Sequence, residues 1–283
     1  MFSFITFPLP RRLTAGLALS LALSLGLAAC SVVSRPDAAT RLAAWLPADV
    51  LLLGEQHDAS AHQAIEQQVV ATLADRGQLA ALALEMADSG QSTAGLAANA
   101  SEEQTRSRLR WDQAAWPWAA YGPAVMAAVR AGVPVLGANL PRGDMRASMA
   151  DTQLDQRLTG PSLKAQQQLI RQGHCNLLPE GQITPMTRIQ IARDRRMADT
   201  LTQAVQPGKV VMLISGSVHA DKQLGVPQHL PAGLQVKSVR LLAGGQTLPG
   251  ESFDSVWATE AVPDKDYCAG LREQFGKPGA AKP

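Results

Sequence analysis

Two short stretches of this chain set an imidazole three residues after a glycine. They are Gly54-Glu55-Gln56-His57, followed by Asp58, and Gly216-Ser217-Val218-His219, followed two residues later by Asp221. A further acidic group, Glu85, interrupts the apolar run Leu84-Glu85-Met86. A carboxylate in so apolar a segment is costly to bury unless a cation, a metal or hydrogen bonds compensate it. An N-cap or a buried salt bridge is the purely structural alternative. Taken together, Glu55, His57, Glu85 and His219 form a donor set for a divalent ion, with Asp58 or Asp221 close by. Imidazole serves ions such as Zn, Fe, Ni or Co, while carboxylates favour harder ions such as Mn. In a hydrolase the ion keeps one position for water, whose pKa falls toward ~7. A carboxylate outside the donor set then acts as general base. The chain has no Gly-x-Ser-x-Gly elbow, no P-loop and no Gly-x-Gly-x-x-Gly, so serine-hydrolase, nucleotide and Rossmann-cofactor chemistry lack their signatures.

Each of these groups needs a rigid element behind it. Residues 50–53 are a short apolar run that ends at Gly54, and residues 79–86 (LAALALEM) are a second that ends at Glu85 and Met86. Residues 133–140 read as a third strand ending near Asn139, residues 209–215 (KVVMLIS) as the strongest one, and residues 236–242 as the last. Continuous apolar runs of this length suit a sheet covered on both faces. Between the first two, Ser60-Ala61-His62-Gln63 has the form of a capping box, Ile65, Val69 and Leu73 recur at helical spacing, and Gly77 closes the helix. Residues 124–130 read as a helix, and residues 144–205 as mainly helical with an interruption near 173–179. Thr184-Pro185 reads as the opening of a helix with an Ile189, Ala192, Met197, Leu201 stripe, on which Arg193-Asp194-Arg195-Arg196 reads as a solvated face. The alternation predicts an α/β fold: a central, mostly parallel sheet with helices on both faces, plus a helical insertion. The glycines then turn the chain off its strands and aim the acid and imidazole groups at one rim, at the carboxyl ends.

The amino terminus is of another kind. Arg11 and Arg12 precede an unbroken apolar stretch ending in Leu27-Ala28-Ala29-Cys30, which has the layout of a secretory signal. The domain plan is therefore a signal at residues 1–29, a tether at 30–45, one α/β domain at 46–270 and a flexible tail at 271–283. The signal carries two of the 26 basic residues and none of the 24 acidic ones, which leaves 24 of each. Nothing in that balance calls for nucleic acid or anionic lipid. Beyond Cys30 only Cys175 and Cys268 remain, and their spacing fits either one disulfide or two free thiols. Aromatic residues are only 4% of the chain, yet Trp111, Trp116 and Trp118 cluster with Tyr121. Such a cluster either lines a flat apolar ligand or plugs the core.

The order Gly-Glu-x-His-Asp (54–58), Leu-Glu-Met (84–86) with Gln91, Trp111 to Tyr121-Gly122-Pro123, Ala138-Asn139-Leu140-Pro141-Arg142, Arg193-Asp194-x-x-Met197-Ala198 and Gly216-x-x-His219 resembles the ChaN family of haem-binding lipoproteins. The likeness spans residues 50 to 242 and extends to the wider group of Tiki proteases, TraB-type proteins and erythromycin esterases. Leu-Ala-Ala-Cys resembles a bacterial lipobox, which implies acylation at Cys30, and Ser31 implies sorting to the outer membrane. The resemblance implies a lipid-anchored protein, periplasmic or at the cell surface. It would bind haem in a pocket completed by a homodimer, in exchange with a haem-uptake receptor. Among the tyrosines, Tyr121 is the first choice as haem ligand, ahead of Tyr267, because tyrosinate suits ferric haem. His174 is a second candidate, and Arg142 or Arg193 would pair with the propionates. The competing reading from the same residues is a hydrolase using Mn, Co or Zn on a periplasmic ester or peptide. A haem carrier does not need Glu55, His57, Glu85 and His219 as a set, whereas a hydrolase does.

Overall fold

A computed structural model of the chain describes residues 38–245 and 252–275. Cys30 and the apolar stretch before it lie outside those residues. The apolar runs become strands β1 (Val50–Glu55), β2 (Leu79–Asp88), β3 (Val135–Asn139), β4 (Val210–Gly216) and β5 (Val236–Ala243). A sixth, β6 (Ser255–Thr259), was not legible, because an edge strand with one covered face carries only a short, weak pattern. The strands are all parallel, in the order β3-β2-β4-β1-β5-β6.

Strand alternation splits the core into two layers. Leu51, Leu53, Leu82, Leu84, Met212 and Ile214 face helices α1 (Ala38–Trp45), α2 (Ser60–Asp75) and α4 (Trp118–Arg130). Val50, Leu52, Ala81, Ala83, Val211 and Leu213 face Met197, Ala198 and Leu201 of the long helix α7 (Glu180–Ala204). Alanines on β2 keep that second layer thin, so α7 lies close to the sheet. Each leucine fully buried this way contributes roughly 1.5–3 kcal/mol. The remaining helices are α3 (Glu102–Arg108), α5 (Met145–Ala150), α6 (Gly160–Gly173), α8 (Ser217–Ala220) and α9 (Ala269–Phe275). Helices α5 and α6 form the expected helical insertion ahead of α7.

Four local expectations change. The stretch expected as a tether holds α1, whose Leu42 and Trp45 are buried, with Trp45 against Trp257 of β6 at 5.9 Å between ring centroids. The tail expected from residue 271 begins inside α9. Pro185 does not open α7 but lies inside it, the helix starting at Glu180 after Pro179. No capping box forms at Ser60, since Ala59 is the N-cap and makes no side-chain bond. His62 instead accepts the Gln56 N–H through Nδ1 at 3.0 Å, and Gln63 turns toward β1.

Cys175 and Cys268 are joined by a disulfide. It ties the loop between α6 and α7 to residues 260–268, which run from β6 to α9. That segment has no buried residue and, among the described residues, no backbone hydrogen bond to the body of the domain. Ordering a residue costs about 1–2 kcal/mol of backbone entropy, and only burial or a crosslink offsets that over such a length.

Candidate functional site

The carboxyl ends of β1, β2 and β4 meet at the centre of the sheet, and the reactive groups converge there. Glu55, the last residue of β1, is buried. Its Oε1 accepts from Tyr121 Oη at 2.7 Å and lies 2.8 Å from His57 Nδ1, and its Oε2 accepts from Gln63 Nε2 at 2.7 Å. Glu66, one turn further along α2 and fully buried, sits against this carboxylate. Burial above all, then the Glu55 charge, pushes its carboxyl well above the ordinary range. A neutral Glu66 can donate to Glu55, which an ionised one cannot.

A second network surrounds Glu85. Its Oε2 accepts the Gly216 N–H at 2.7 Å, and its Oε1 lies 3.3 Å from His219 Nε2. On the other side of that ring, Nδ1 is 2.5 Å from Asp194 Oδ1 of α7. Burial alone would lower the His219 pKa, but the two carboxylates outweigh it and raise it to about 10. Burial likewise opposes ionisation of Glu85, yet the His219 charge and hydrogen bond, His57 and the Gly216 amide hold it well below its usual range. Asp194 goes the other way, pushed up to about 6 because burial dominates over His219. His219 is thus an imidazolium held between two acids.

The glycines serve close approach rather than a sharp turn. Gly54 stays in strand conformation, and a Cβ there would sit 2.8 Å from Ser217 Cα. A Cβ on Gly216 would sit 3.0 Å from His57 Nε2. Side chains at either position would wedge β1, α8 and the His57 turn apart.

Glu55, His57, Glu85 and His219 all line one cleft of about 830 Å³, as does Tyr121. His57 and His219, far apart in sequence, therefore meet as the spacing implied. Both nitrogens of His219 are committed to carboxylates, and among the described residues no group of three or more His, Cys, Asp or Glu is arranged to hold a metal ion. His57 differs. Its Nδ1 is engaged by Glu55 while Nε2 is 3.9 Å from Glu85 and has no hydrogen-bond partner among the described residues. Burial lowers its pKa, but the Glu55 hydrogen bond and the Glu85 charge outweigh that, and the net shift is upward.

The remaining walls are apolar and cationic. Trp116 meets the His57 ring edge-on at 4.9 Å, and Leu241, Leu242 and Val218 add apolar surface. Arg240, Lys265 and Tyr267 stand on the other side. The Tyr267 hydroxyl is exposed; it donates to Asp58 at 2.7 Å and accepts from Gln56 at 3.2 Å. Tyr121 is the opposite case. Buried, with its phenol donating to Glu55, it is pushed far above the ordinary tyrosine range, by burial first and by Glu55 next. His174, Arg142 and Arg193 do not line the cleft. His174 caps α6 and bonds the Ile170 carbonyl oxygen, while Arg142 stands near Asp88.

Within the aromatic cluster, Trp118 and Tyr121 plug the core, and Trp116 reaches the cleft. The charge run 193–196 is not a solvated face, because Asp194 is fully buried. The signal for Asp194 was present: it precedes Met197, Ala198 and Leu201 by three, four and seven residues, on their stripe. Gln63, by contrast, read as the end of a capping box, and nothing in the sequence singled out Glu66.

Residues 41–230 match the family model described as haem-binding uptake, Tiki superfamily, ChaN. The chain belongs to the ChaN family. Among solved structures, it is similar to ChaN of Campylobacter jejuni, described for cofacial haem binding, with 26% identity over 76% of this chain and 89% of that one and a TM-score of 0.62. The type III effector HopBA1 follows at 17% identity, covering 81% of this chain and 97% of its own, with a TM-score of 0.46. An erythromycin esterase, EreC, in its open conformation is 14% identical over 70% and 71%, with a TM-score of 0.42. No curated protein matches the chain. The ChaN match covers β1 to β4 and the cleft residues they carry, and ends before Arg240, Lys265 and Tyr267.

Proposed function

We propose that this ChaN-family protein binds haem in the cleft at the carboxyl ends of β1, β2 and β4 and serves haem or iron uptake. One observation carries the reading beyond the family: an imidazole, His57, held at Nδ1 by a buried carboxylate and making no hydrogen bond at Nε2 among the described residues, on the wall of a partly apolar cleft. A carboxylate on the far nitrogen orients a ligating histidine and raises its basicity. A volume of about 830 Å³ lies within the ~300–1,000 Å³ of small-molecule and cofactor sites. Bound haem would supply an iron that binds a nitrogen donor and two propionates that pair with cations. Of the cleft residues, His57 would hold the iron, Trp116 would pack on the macrocycle, and Arg240 and Lys265 would hold the propionates. Tyr121 orients Glu55, and through it His57, rather than meeting iron.

The mature chain is anchored in this reading by acylated Cys30 in the outer membrane, with its domain in the periplasm or at the cell surface. The Cys175–Cys268 disulfide supports an exported location, since such bonds persist in oxidising compartments. A homodimer completes the pocket, consistent with the cofacial haem binding described for the Campylobacter jejuni protein, and a haem-uptake receptor is the exchange partner. Titration of the purified protein with haemin tests this directly. A shifted Soret band and a larger oligomer are expected; absence of a band shift rejects the haem reading.

Hydrolysis is the second reading, favoured by the buried Asp194-His219-Glu85 array, which haem ligation does not use. Ester or peptide turnover by the purified protein, lost in Glu85→Gln, would select it.

A further inference from the structure

Resting on the haem-binding reading, we propose that the Cys175–Cys268 disulfide positions one wall of the cleft, so that a dithiol reductant opens that wall and releases the ligand. Lys265 and Tyr267 line the cleft, and Tyr267 is bonded to the very cysteine that forms the bridge. Past Ala261, which packs on Gly244, the segment's polar and covalent contacts with the body are few among the described residues. They are Tyr267 on Asp58 and Gln56, Lys265 at 3.9 Å from Asp58, and the disulfide itself. The polar contacts are exposed to solvent, where such interactions are individually weak. The covalent bond is what keeps Tyr267 at the cleft.

Both sulfurs belong to partly exposed residues, so a reductant has access. One thiolate of the dithiol attacks the bridge, forming a mixed disulfide and expelling one cysteine as thiolate. The second thiol attacks the mixed disulfide, closes the oxidised reductant and frees the other cysteine. Two electrons pass to the protein, and the two protons lost by the dithiol are taken up by Cys175 and Cys268. Neither cysteine is in a strand or in the core layers, so the sheet does not depend on the bond.

The test compares three forms of the full chain: oxidised; reduced with a dithiol, alkylated and freed of reagent; and the double variant Cys175→Ser/Cys268→Ser. Haemin dissociation into an excess of scavenger and tryptic cleavage after Lys265 are followed in each. Both rates are expected to rise about tenfold in the two unbridged forms; a rise of threefold or more in both sustains the inference, and a smaller one in either overturns it. Loss of near-UV circular dichroism in both unbridged forms also overturns it, because the bond would then support the core. If the oxidised chain gives no haemin spectrum, the haem reading fails by itself, and cleavage after Lys265 still decides whether the disulfide holds the wall.

Discussion

Asp194 Oδ1 lies 2.5 Å from Nδ1 of His219, both side chains buried, with Glu85 on the opposite edge of the ring. One cation is thus shared by two acids, with His219 and Glu85 on the cleft wall. Removing one partner of a buried pair costs up to about 3–5 kcal/mol. Asp194→Asn is therefore expected to lower the urea midpoint strongly and to bring the His219 pKa down from about 10. The sign of the pH effect follows. His219 is raised above its unfolded value near 6.5, so its contribution is whole below that value and is lost as pH rises through about 10. A wild-type chain equally stable at neutral and alkaline pH would contradict the pair, and Asp194→Asn should flatten the wild-type loss.

Tyr121 and His57 make separable contributions. Tyr121→Phe removes one of the donors to Glu55 and is expected to cost about 1–3 kcal/mol, while leaving the haemin spectrum in place. His57→Ala is expected to alter the Soret band. The reverse pattern in a haemin titration would return the ligand role to Tyr121.

His229 gives an acid limb. Its Nε2 is buried with no hydrogen-bond partner among the described residues, and burial, then Arg195 and Arg157, lower its pKa to about 4. A base whose folded value is depressed stabilises the fold above its unfolded value near 6.5, and that contribution is lost as pH falls toward about 4. Partial exposure limits the effect to roughly 1–3 kcal/mol. Chemical denaturation at pH 7 and pH 4 should show the loss, and His229→Gln should flatten it.

Gly54 and Gly216 separate fold from site. In Gly54→Ala the added carbon meets backbone, Ser217 Cα at 2.8 Å, and the melting temperature should fall by the equivalent of about 1–3 kcal/mol. In Gly216→Ala it meets the His57 ring, Nε2 at 3.0 Å, so haemin affinity should fall more than stability does. Equal effects of the two changes on calorimetry and binding would argue against this division.

Apolar runs 50–53, 79–86 and 209–215 were enough to place β1, β2 and β4, because a strand buried on both faces needs an unbroken apolar sequence and little else does over so few residues. The positions of Glu55, Glu85 and His219 at strand ends followed from those runs. Glycine was legible as special, but not why: the crowding at Gly54 comes from Ser217, a residue 163 positions away by subtraction of their numbers.

By itself, then, the sequence determined a parallel α/β sheet with acids and imidazoles at its carboxyl edge, since burial and chain direction follow from local pattern. Tertiary structure alone decided who pairs with whom. Tyr121 reaches Glu55 across 66 positions and Tyr267 reaches Asp58 across 209, while Asp194 takes His219. Hydrogen bonds are short and directional, so a partner is set by which faces the packed helices turn toward one another, and no local pattern encodes that.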